Sequence, residues 1–438
     1  MSHLTVAGAG HGGLCAALHL AKAGRRVTVF ERQREAALGY DWTDIVEAGA
    51  LERNGFSALP ESSRIRAYRM TMIGPGKRAP LRPAQLYEGP KWVHAERKEW
   101  LAIMVRDCRA AGVEFVFEAE ILGPVIENDR VRGLRVRMGG AARDVPADMV
   151  IDAAGAQSNL RANLPARLGV PGALPQSELF YPWRGIFERL PGPDPLGMYN
   201  VYLSHQGRKG LSWVLAGPGS MDVLVGNMGR PVSGTELAAA LADLREDNPL
   251  LGEQLLRGGG RPVPIPVRRP LGMLVAGGYA TVGDSACMAD PFTGCGVCIA
   301  MEQGRLLAEV LLNCNGDYSL PKLWDYQYRT FSEKPPSEKT AARRAATDAM
   351  RRGMMALRPG EVDLMFSGGL IALRGGVSSK KDVLPLLRNL HHPALLWKLA
   401  KIPLRGKAVR DIVGRIPKTY DPIAVAAWAR EYEGCKMC

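Results

Sequence analysis

The sequence predicts an α/β protein in which a three-layer unit with a parallel sheet carries an inserted antiparallel-sheet domain and ends in a helical C-terminal region. Strand, glycine turn, helix and second strand follow one another within the first 31 residues. The stretch from about 165 to 264 carries β-prone runs, and beyond about residue 335 the chain becomes helical and basic.

Leu4-Thr5-Val6-Ala7 is a short apolar, β-prone run, and Gly8-Ala9-Gly10-His11-Gly12-Gly13 follows it directly. Leu14 to Ala23 has helical length and composition, Gly24 stops it, and Arg26 to Glu31 reads as the second strand. This is a complete Rossmann-like βαβ unit. Gly8 allows the tight turn, Gly10 lets the backbone approach a pyrophosphate, and Gly13 permits close helix–strand packing. Free N–H groups at the helix start attract phosphate charge. Glu31, with Arg32 beside it, ends the second strand, where a carboxylate accepts hydrogen bonds from ribose hydroxyls. A bound dinucleotide, NAD or FAD, is the expectation.

Three further segments choose between them. Tyr279-Ala280-Thr281-Val282-Gly283-Asp284-Ser285-Ala286 precedes Pro291-Phe292-Thr293-Gly294-Cys295-Gly296. Met149 to Gly155, with Ser158 and Arg161, reads as a strand running into a loop. His94-Ala95-Glu96-Arg97 opens a helix whose apolar positions Trp100, Leu101, Met104 and Val105 share one face.

Over roughly residues 3 to 330 these segments resemble the geranylgeranyl reductase branch of the flavoprotein superfamily that also holds the para-hydroxybenzoate hydroxylase-like monooxygenases. The resemblance implies FAD. It implies that Asp284, behind Gly283, contacts the ribityl chain, and that Arg97 reaches the FAD phosphates. Pro291, Gly294 and Gly296 would form the turn opening a helix that faces the flavin's pyrimidine edge, an orientation favouring negative charge there. Gly155 would belong to the cofactor loop. Many members have Asp-Gly where this chain has Ala154-Gly155. That Asp is associated with nicotinamide and pyrophosphate contacts in the hydroxylases, so its absence fits the reductase branch better.

The resemblance also implies a discontinuous FAD-binding domain built from residues 1–60, 95–160 and 265–330. A substrate-binding sheet from 61–94 and 165–264 would roof the flavin, followed by a helical region over 335–438. Within the roof, Gly210 to Ala216 and Met221 to Gly226 read as strands and Thr235 to Arg245 as a helix. Tyr40, Trp42, Tyr181, Trp183 and Trp213 are the aromatic candidates for the substrate pocket. Family members often carry Tyr-x-Trp-x-Phe-Pro in this sheet. Here Trp213 is preceded by Ser212 and lacks the Phe-Pro, so substrate identity does not carry over.

Family members often have a cysteine after the ribose-binding acid, but Gly39-Tyr40-Asp41-Trp42-Thr43-Asp44 contains no thiol. Asp41 and Asp44 are candidate acids, which burial must raise toward neutrality. Cys295 is the third catalytic candidate. With Cys298 it forms a Cys-x-x-Cys at a helix start, readable as a flavin-coupled dithiol or as packing.

The expected activity is FAD-dependent reduction of a carbon–carbon double bond in a small apolar, isoprenoid-like substrate, by hydride transfer from flavin N5. The alternatives are a flavin-dependent monooxygenase, an electron-transfer flavoprotein to quinone, and a non-catalytic redox sensor. No second dinucleotide fingerprint appears, so NAD(P)H acts as a transient reductant or an external electron donor replaces it.

A formal charge of +13 over 438 residues predicts anionic partners. Ten Lys or Arg fall within 380–418, interleaved with Leu395, Leu396, Trp397, Leu399 and Ile402. That stretch reads either as a helix on an anionic membrane surface or as one packed on its own domain. No nucleic-acid reader motif accompanies the charge. Eight scattered cysteines indicate reduced thiols and supply no metal-ligand pattern. The absence of a leader or a long apolar run predicts a cytoplasmic protein, with peripheral membrane contact through 380–418 as the variant.

Overall fold

The computed structural model describes residues 2–60, 67–76, 85–88, 92–193, 198–217, 219–258, 263–338, 340–367 and 390–435. At its centre lies a six-stranded sheet in the order Val275–Ala276, Tyr279–Thr281, Met149–Asp152, His3–Ala7, Arg26–Phe30, Glu114–Val116. All its pairings are parallel except the short hairpin made by the two strands at 275–281. The residues of the two central strands, Leu4 to Ala7 and Met149 to Asp152, are fully buried. Such strands are covered on both faces, which is why they read as unbroken apolar runs.

Helices His11–Lys22, Arg97–Ala110 and Val297–Asn313 pack beside this sheet. The first and third meet backbone to backbone: a Cβ on Gly304 would lie 2.1 Å from the carbonyl oxygen of Gly12. Only glycine admits that approach. A three-stranded antiparallel sheet, Glu120–Glu127, Arg130–Met138 and Ala141–Pro146, abuts the Met149–Asp152 strand.

The second large sheet gathers Leu251–Gly258, Leu179–Arg189, Ser220–Met228, Gly210–Ala216, Met198–Leu203, Ala67–Ile73 and Gln85–Glu88, with Ile265–Pro266 paired to the start of the second of these. It is antiparallel apart from one pairing, Met198–Leu203 with Ala67–Ile73, which is parallel. Between those two strands the chain adds Gln85–Glu88 to this sheet, passes through the central sheet and returns by Leu179–Arg189, a long connection of the kind a parallel pairing needs and a hairpin cannot supply. Helix Gly234–Asp247 covers the outer face, starts on a Ser233–Glu236 capping box, and buries Ala240 and Leu244 against Phe187, Val223 and Val225.

A two-stranded ribbon, Thr43–Glu47 with Trp92–Glu96, lies between the large sheets. Five helices, from Leu320–Ser332 to Pro422–Gly434, complete the described chain. The last returns to the body: the Tyr432 hydroxyl donates to the Pro270 carbonyl at 3.0 Å, and Arg268 pairs with Glu433 at 2.6 Å. Helix Pro393–Val413 packs on Ala341–Met355, where Gly353 accommodates Ile402. Of the basic stretch at 380–418, residues 380–389 lie outside the described residues.

Candidate cofactor and substrate site

The first turn joins Ala7 to His11 with Gly8 at φ +93°, and a Cβ there would stand 2.6 Å from the Ala153 carbonyl oxygen. At Gly13 a Cβ would meet Ala153 Cβ at 2.6 Å and Val6 Cγ1 at 2.8 Å. Gly10 is the helix N-cap, and with no side chain it leaves the first-turn N–H groups uncapped. Those donors, at the positive end of the helix, are what a pyrophosphate requires. Glu31 fixes the turn from the side: it accepts from Ala9 N at 2.8 Å and from Gln33 N at 2.9 Å. Arg32 is exposed at the same strand end.

Asp152, buried at the end of its strand, joins the two later segments. Its carboxylate accepts from Ser158 Oγ at 2.5 Å, Tyr279 Oη at 2.8 Å, Ser285 Oγ at 2.9 Å and Ala154 N at 3.0 Å. Arg161, also buried, donates to the carbonyls of Ala156, Gly172 and Ser285. Gly155 N in turn donates to Ser285 Oγ at 2.8 Å, and Gly155 takes φ +88° with open space where its Cβ would be. Gly283 sits at φ +62°. Asp284 and the glycine turn converge: a Cβ on Gly296 would be 3.4 Å from Asp284 Oδ1. Burial pushes the Asp284 carboxyl up to about 6, opposed by the positive charge of Arg97. Pro291 and Gly294 line the cavity beside them. An uncapped helix start, glycines packed so that no Cβ fits, and a polar hub behind open backbone make a cradle that fits FAD.

Facing this cradle is a cavity of about 690 Å³ under the large sheet. Its walls are mainly apolar, among them Met70, Phe180, Val201, Leu224 and Val267. One wall is the turn from Pro291 to Cys298, including Cys295, whose residue is exposed. Cys287, by contrast, is buried, and burial raises its thiol to about 12.

Arg97 and Asp44 stand at the junction of cradle and cavity. Arg97 Nε and Nη2 donate to Asp44 Oδ2 and Oδ1 at 2.7 and 2.6 Å. Burial alone would raise the Asp44 carboxyl, but the charge and hydrogen bonds of Arg97 outweigh it and hold the group below the ordinary carboxylate range. Asp44 therefore corrects the expectation of a general acid: it is a fixed carboxylate that positions Arg97. Asp41 departs from the same expectation, since it lies outside the cavity wall in an ion pair with Lys98 at 2.7 Å.

Trp42 and Trp213 line the cavity. Tyr40, in the left-handed region at φ +54°, packs beside Trp42 with ring centroids 6.0 Å apart and is not part of the lining. Tyr181 and Trp183 are not at the cavity either. Side chains alternate along Leu179–Arg189, so Phe180 and Arg184 face the cavity while Trp183 packs against Phe187 in the cluster under the outer helix. An aromatic residue one position out of register meets the wrong face.

Several site residues carry no motif and were not anticipated. Arg184, 6% exposed, donates to Asp222 and to Thr43, whose hydroxyl donates to Asp222 Oδ2 at 2.5 Å. Its guanidinium carbon lies 5.3 Å from the Trp42 ring and 5.5 Å from the Trp213 ring. Arg97 takes the Trp42 ring at 4.8 Å. Trp42 thus stands between two cations, an arrangement that fixes both indoles. His11, inside the glycine turn, has its buried Nε2 without a partner among the described residues. Burial first, and Arg97 second, lower its imidazole to about 4, so it is neutral. Arginines among apolar strand residues and a histidine in a glycine loop were legible only as singular residues in those patterns.

The FAD binding domain family matches residues 2–180. The digeranylgeranylglycerophospholipid reductase of Methanosphaerula palustris is 29% identical over 338 residues, covering 74% of this chain and 81% of that protein. The enzyme of the same name from Sulfolobus acidocaldarius is 23% identical over 349 residues, 75% of each chain. Among solved structures, a geranylgeranyl bacteriochlorophyll reductase-like protein from Thermoplasma acidophilum superposes with a TM-score of 0.72 at 20% identity, over 92% of this chain and 99% of that one. PqsL, a probable FAD-dependent monooxygenase from Pseudomonas aeruginosa, gives 0.58 at 19% identity over 84% and 99%. These two likenesses speak to fold.

Fold, cradle and relatives together define an FAD-dependent oxidoreductase. Within that class the chain resembles the geranylgeranyl reductase-like branch.

Proposed function

We propose that this protein reduces carbon–carbon double bonds in an apolar, isoprenoid-like chain held in the cavity under the large sheet. One observation carries the reading: the apolar cavity and the cofactor cradle share the wall formed by Arg97, Asp44 and the Pro291–Gly296 turn. Bound and reduced, FAD supplies the hydride from N5 to one alkene carbon. The protein's own part is placement, exclusion of water and delivery of the proton. Residues 1–60, 95–160 and 265–330 form the cofactor unit of this reading, 61–94 and 165–264 its substrate sheet, and 335–438 the helical region. Gly8, Gly10, Gly13, Glu31, Arg32, Gly155, Gly283 and Asp284 serve the cofactor. Trp42 and Trp213, each fixed by Arg184, brace the substrate wall. With Asp44 held ionised, the Cys295 thiol is the proton donor of the original candidates that lines the cavity. The reductant is external, either NAD(P)H binding transiently or a protein donor.

The test is anaerobic mixing of the chemically reduced holoenzyme with a polyprenyl lipid. Bleached flavin regaining its yellow band, with a product gaining two hydrogens per double bond, is the expected result. Oxidation by oxygen alone with a hydroxylated product would replace this reading with the monooxygenase.

We further propose that the protein meets an anionic membrane through helix Pro393–Val413. Trp397 and Leu404, seven residues apart on the helix, are each 63% exposed, as is Leu390 just before it, and Pro393, Ala394 and Ala400 continue the outward face of Trp397 and Leu404. Lys401 lies over the Trp397 ring at 5.0 Å. An apolar stripe with an interfacial tryptophan and flanking cations suits a lipid surface. Among the described residues no helix is long and apolar enough to cross a membrane. Flotation with anionic liposomes is expected to carry the wild type up and leave Trp397→Glu behind; a wild type that stays in the soluble fraction defeats the proposal.

A further inference from the structure

The turn from Pro291 to Gly296 is shaped by the residue just before it. Asp290, 5% exposed, gathers three donors on one oxygen: Oδ1 accepts from Phe292 N at 3.0 Å, Thr293 N at 2.9 Å and Thr293 Oγ1 at 3.1 Å. Its backbone closes the same loop, with N donating to the Cys295 carbonyl at 2.9 Å and O accepting from Gly294 N at 2.8 Å. Cys295 N is taken by Thr293 Oγ1 at 3.3 Å. These bonds occupy the N–H groups from Phe292 to Cys295. Helix Val297–Asn313, by contrast, starts at Gly296 without a side-chain cap, so its first-turn donors stay open. Asp290 thus decides which N–H groups of the turn are left for a ligand.

Among the described residues Asp290 makes no ion pair. Arg344, 2% exposed at the start of helix Ala341–Met355, makes none either, and its buried Nε has no partner. Thr347, one helical turn further along the same face, brings its Oγ1 to 3.5 Å from Asp290 Oδ2. Burial lowers the Arg344 guanidinium to about 10, and Tyr432, Asp290 and Glu302 oppose that fall. Two buried groups of opposite charge therefore stand within Coulomb range of each other and beyond contact. The other arginines at the junction of cradle and cavity are committed, Arg97 to Asp44 and Arg184 to Asp222.

A buried charge that is not neutralised in contact acts over distance, because the surrounding protein screens it poorly. Taking up two electrons and one proton leaves the flavin ring anionic, so a fixed negative charge behind the turn opposes reduction and a fixed positive charge favours it. We propose that Asp290 is a positioning residue that also sets the electron affinity of the bound flavin: it shapes the turn and lowers the reduction potential, while Arg344 moderates that effect from the helix behind. A lower potential makes the reduced flavin a stronger hydride donor, as an isolated double bond requires. The inference rests on the Pro291–Gly296 turn facing the flavin and is independent of which substrate fills the cavity.

The experiment is anaerobic redox titration of the FAD holoenzyme against a reference dye, with no substrate present. Asp290→Asn keeps Oδ1 as the acceptor for the turn and removes the charge. At a fixed poise its ratio of reduced to oxidised flavin is expected to rise roughly tenfold, about 30 mV for a two-electron couple. Arg344→Gln is expected to move the ratio the opposite way by a smaller factor, Arg344→Lys to stay near wild type, and Asp290→Asn combined with Arg344→Gln to fall between the two single variants. A turn that is merely loosened would shift Asp290→Asn and Arg344→Gln in the same direction, and that outcome overturns the proposal, as does a wild-type potential in either one. If Asp290→Asn does not retain FAD, Arg344→Gln decides alone: a lowered ratio supports the proposal, and an unchanged or raised ratio overturns it. Opposite shifts in a holoenzyme that reduces no polyprenyl lipid would remove the reductase reading and leave this inference standing.

Discussion

Asp44 grips Arg97 with both carboxylate oxygens, at 2.6 and 2.7 Å, and holds its guanidinium over the Trp42 ring. This pair joins the strand Thr43–Glu47 to the start of the Arg97–Ala110 helix. Asp44→Asn keeps the shape and removes the charge, leaving Arg97 buried without its counterion. A loss of about 3 kcal/mol in denaturant unfolding is expected, on the scale of broken buried pairs. Because the folded carboxyl is held below the ordinary range, the pair's contribution is fully present above about pH 4 and disappears as pH falls further. The acid-unfolding curve of Asp44→Asn should therefore be flatter than wild type at the low end; identical curves would show that the pair is not coupled to folding.

The glycines of the first turn should fail in two different ways. Gly13→Ala forces a Cβ into Ala153 and Val6, so the thermal midpoint should fall whether or not FAD is present. Gly10 has an ordinary φ of −77°, and its nearest neighbour to a Cβ is 3.2 Å away. Gly10→Val is thus expected to fold, by circular dichroism, yet purify colourless. A yellow, fully flavinated Gly10→Val protein would contradict the assignment of this turn to the pyrophosphate.

Asp284 is expected to tie cofactor affinity to pH. Its folded-state carboxyl is raised to about 6, so in the cofactor-free protein the neutral form's contribution to stability is intact below about pH 4 and is lost as pH rises through 6. As a carboxylate it is the stronger acceptor for sugar hydroxyls. FAD retention in the wild type should therefore improve between pH 5 and 7, and Asp284→Ala should retain less FAD with little pH dependence. Equal retention by wild type across that range would remove Asp284 from the cofactor contacts.

The two tryptophans of the large sheet should separate binding from stability. Trp213→Ala opens the cavity wall and is expected to raise KM for the lipid several-fold with a modest stability loss. Trp183→Ala hollows the opposite face against Phe187 and should cost about 3 kcal/mol with KM unchanged. The reverse pattern would mean that the strand register seats the substrate on the outer face.

Local patterns explain what was readable in advance. The glycine turn, the Gly283-Asp284 pair and the helix opening at Arg97 are contiguous, and their backbone demands restrict residue type, so sequence carries them. The large sheet's runs at Gly210–Ala216 and Ser220–Met228 were visible by their β propensity, but which face each would present was not. That is why Tyr181 and Trp183 were expected at the cavity and Phe180 and Arg184 were found there. Arg184, Asp222 and Thr43 come from three separate elements, and no spacing along the chain announces their meeting. Asp44 illustrates a further difficulty: whether a buried carboxyl is an acid or an anchor depends on its partner, here Arg97, which lies on another element.

The contact between Gly304 and Gly12 has a consequence for synthesis. The nucleotide fold opens with residue 3 but needs strands at 275–281 and the helix ending at Asn313 to finish. On the ribosome, the first βαβ unit must therefore wait with a bare glycine groove until most of the chain has emerged. A nascent chain stopped before residue 297 has the glycine turn but lacks the Val297–Asn313 helix whose Gly304 packs on Gly12.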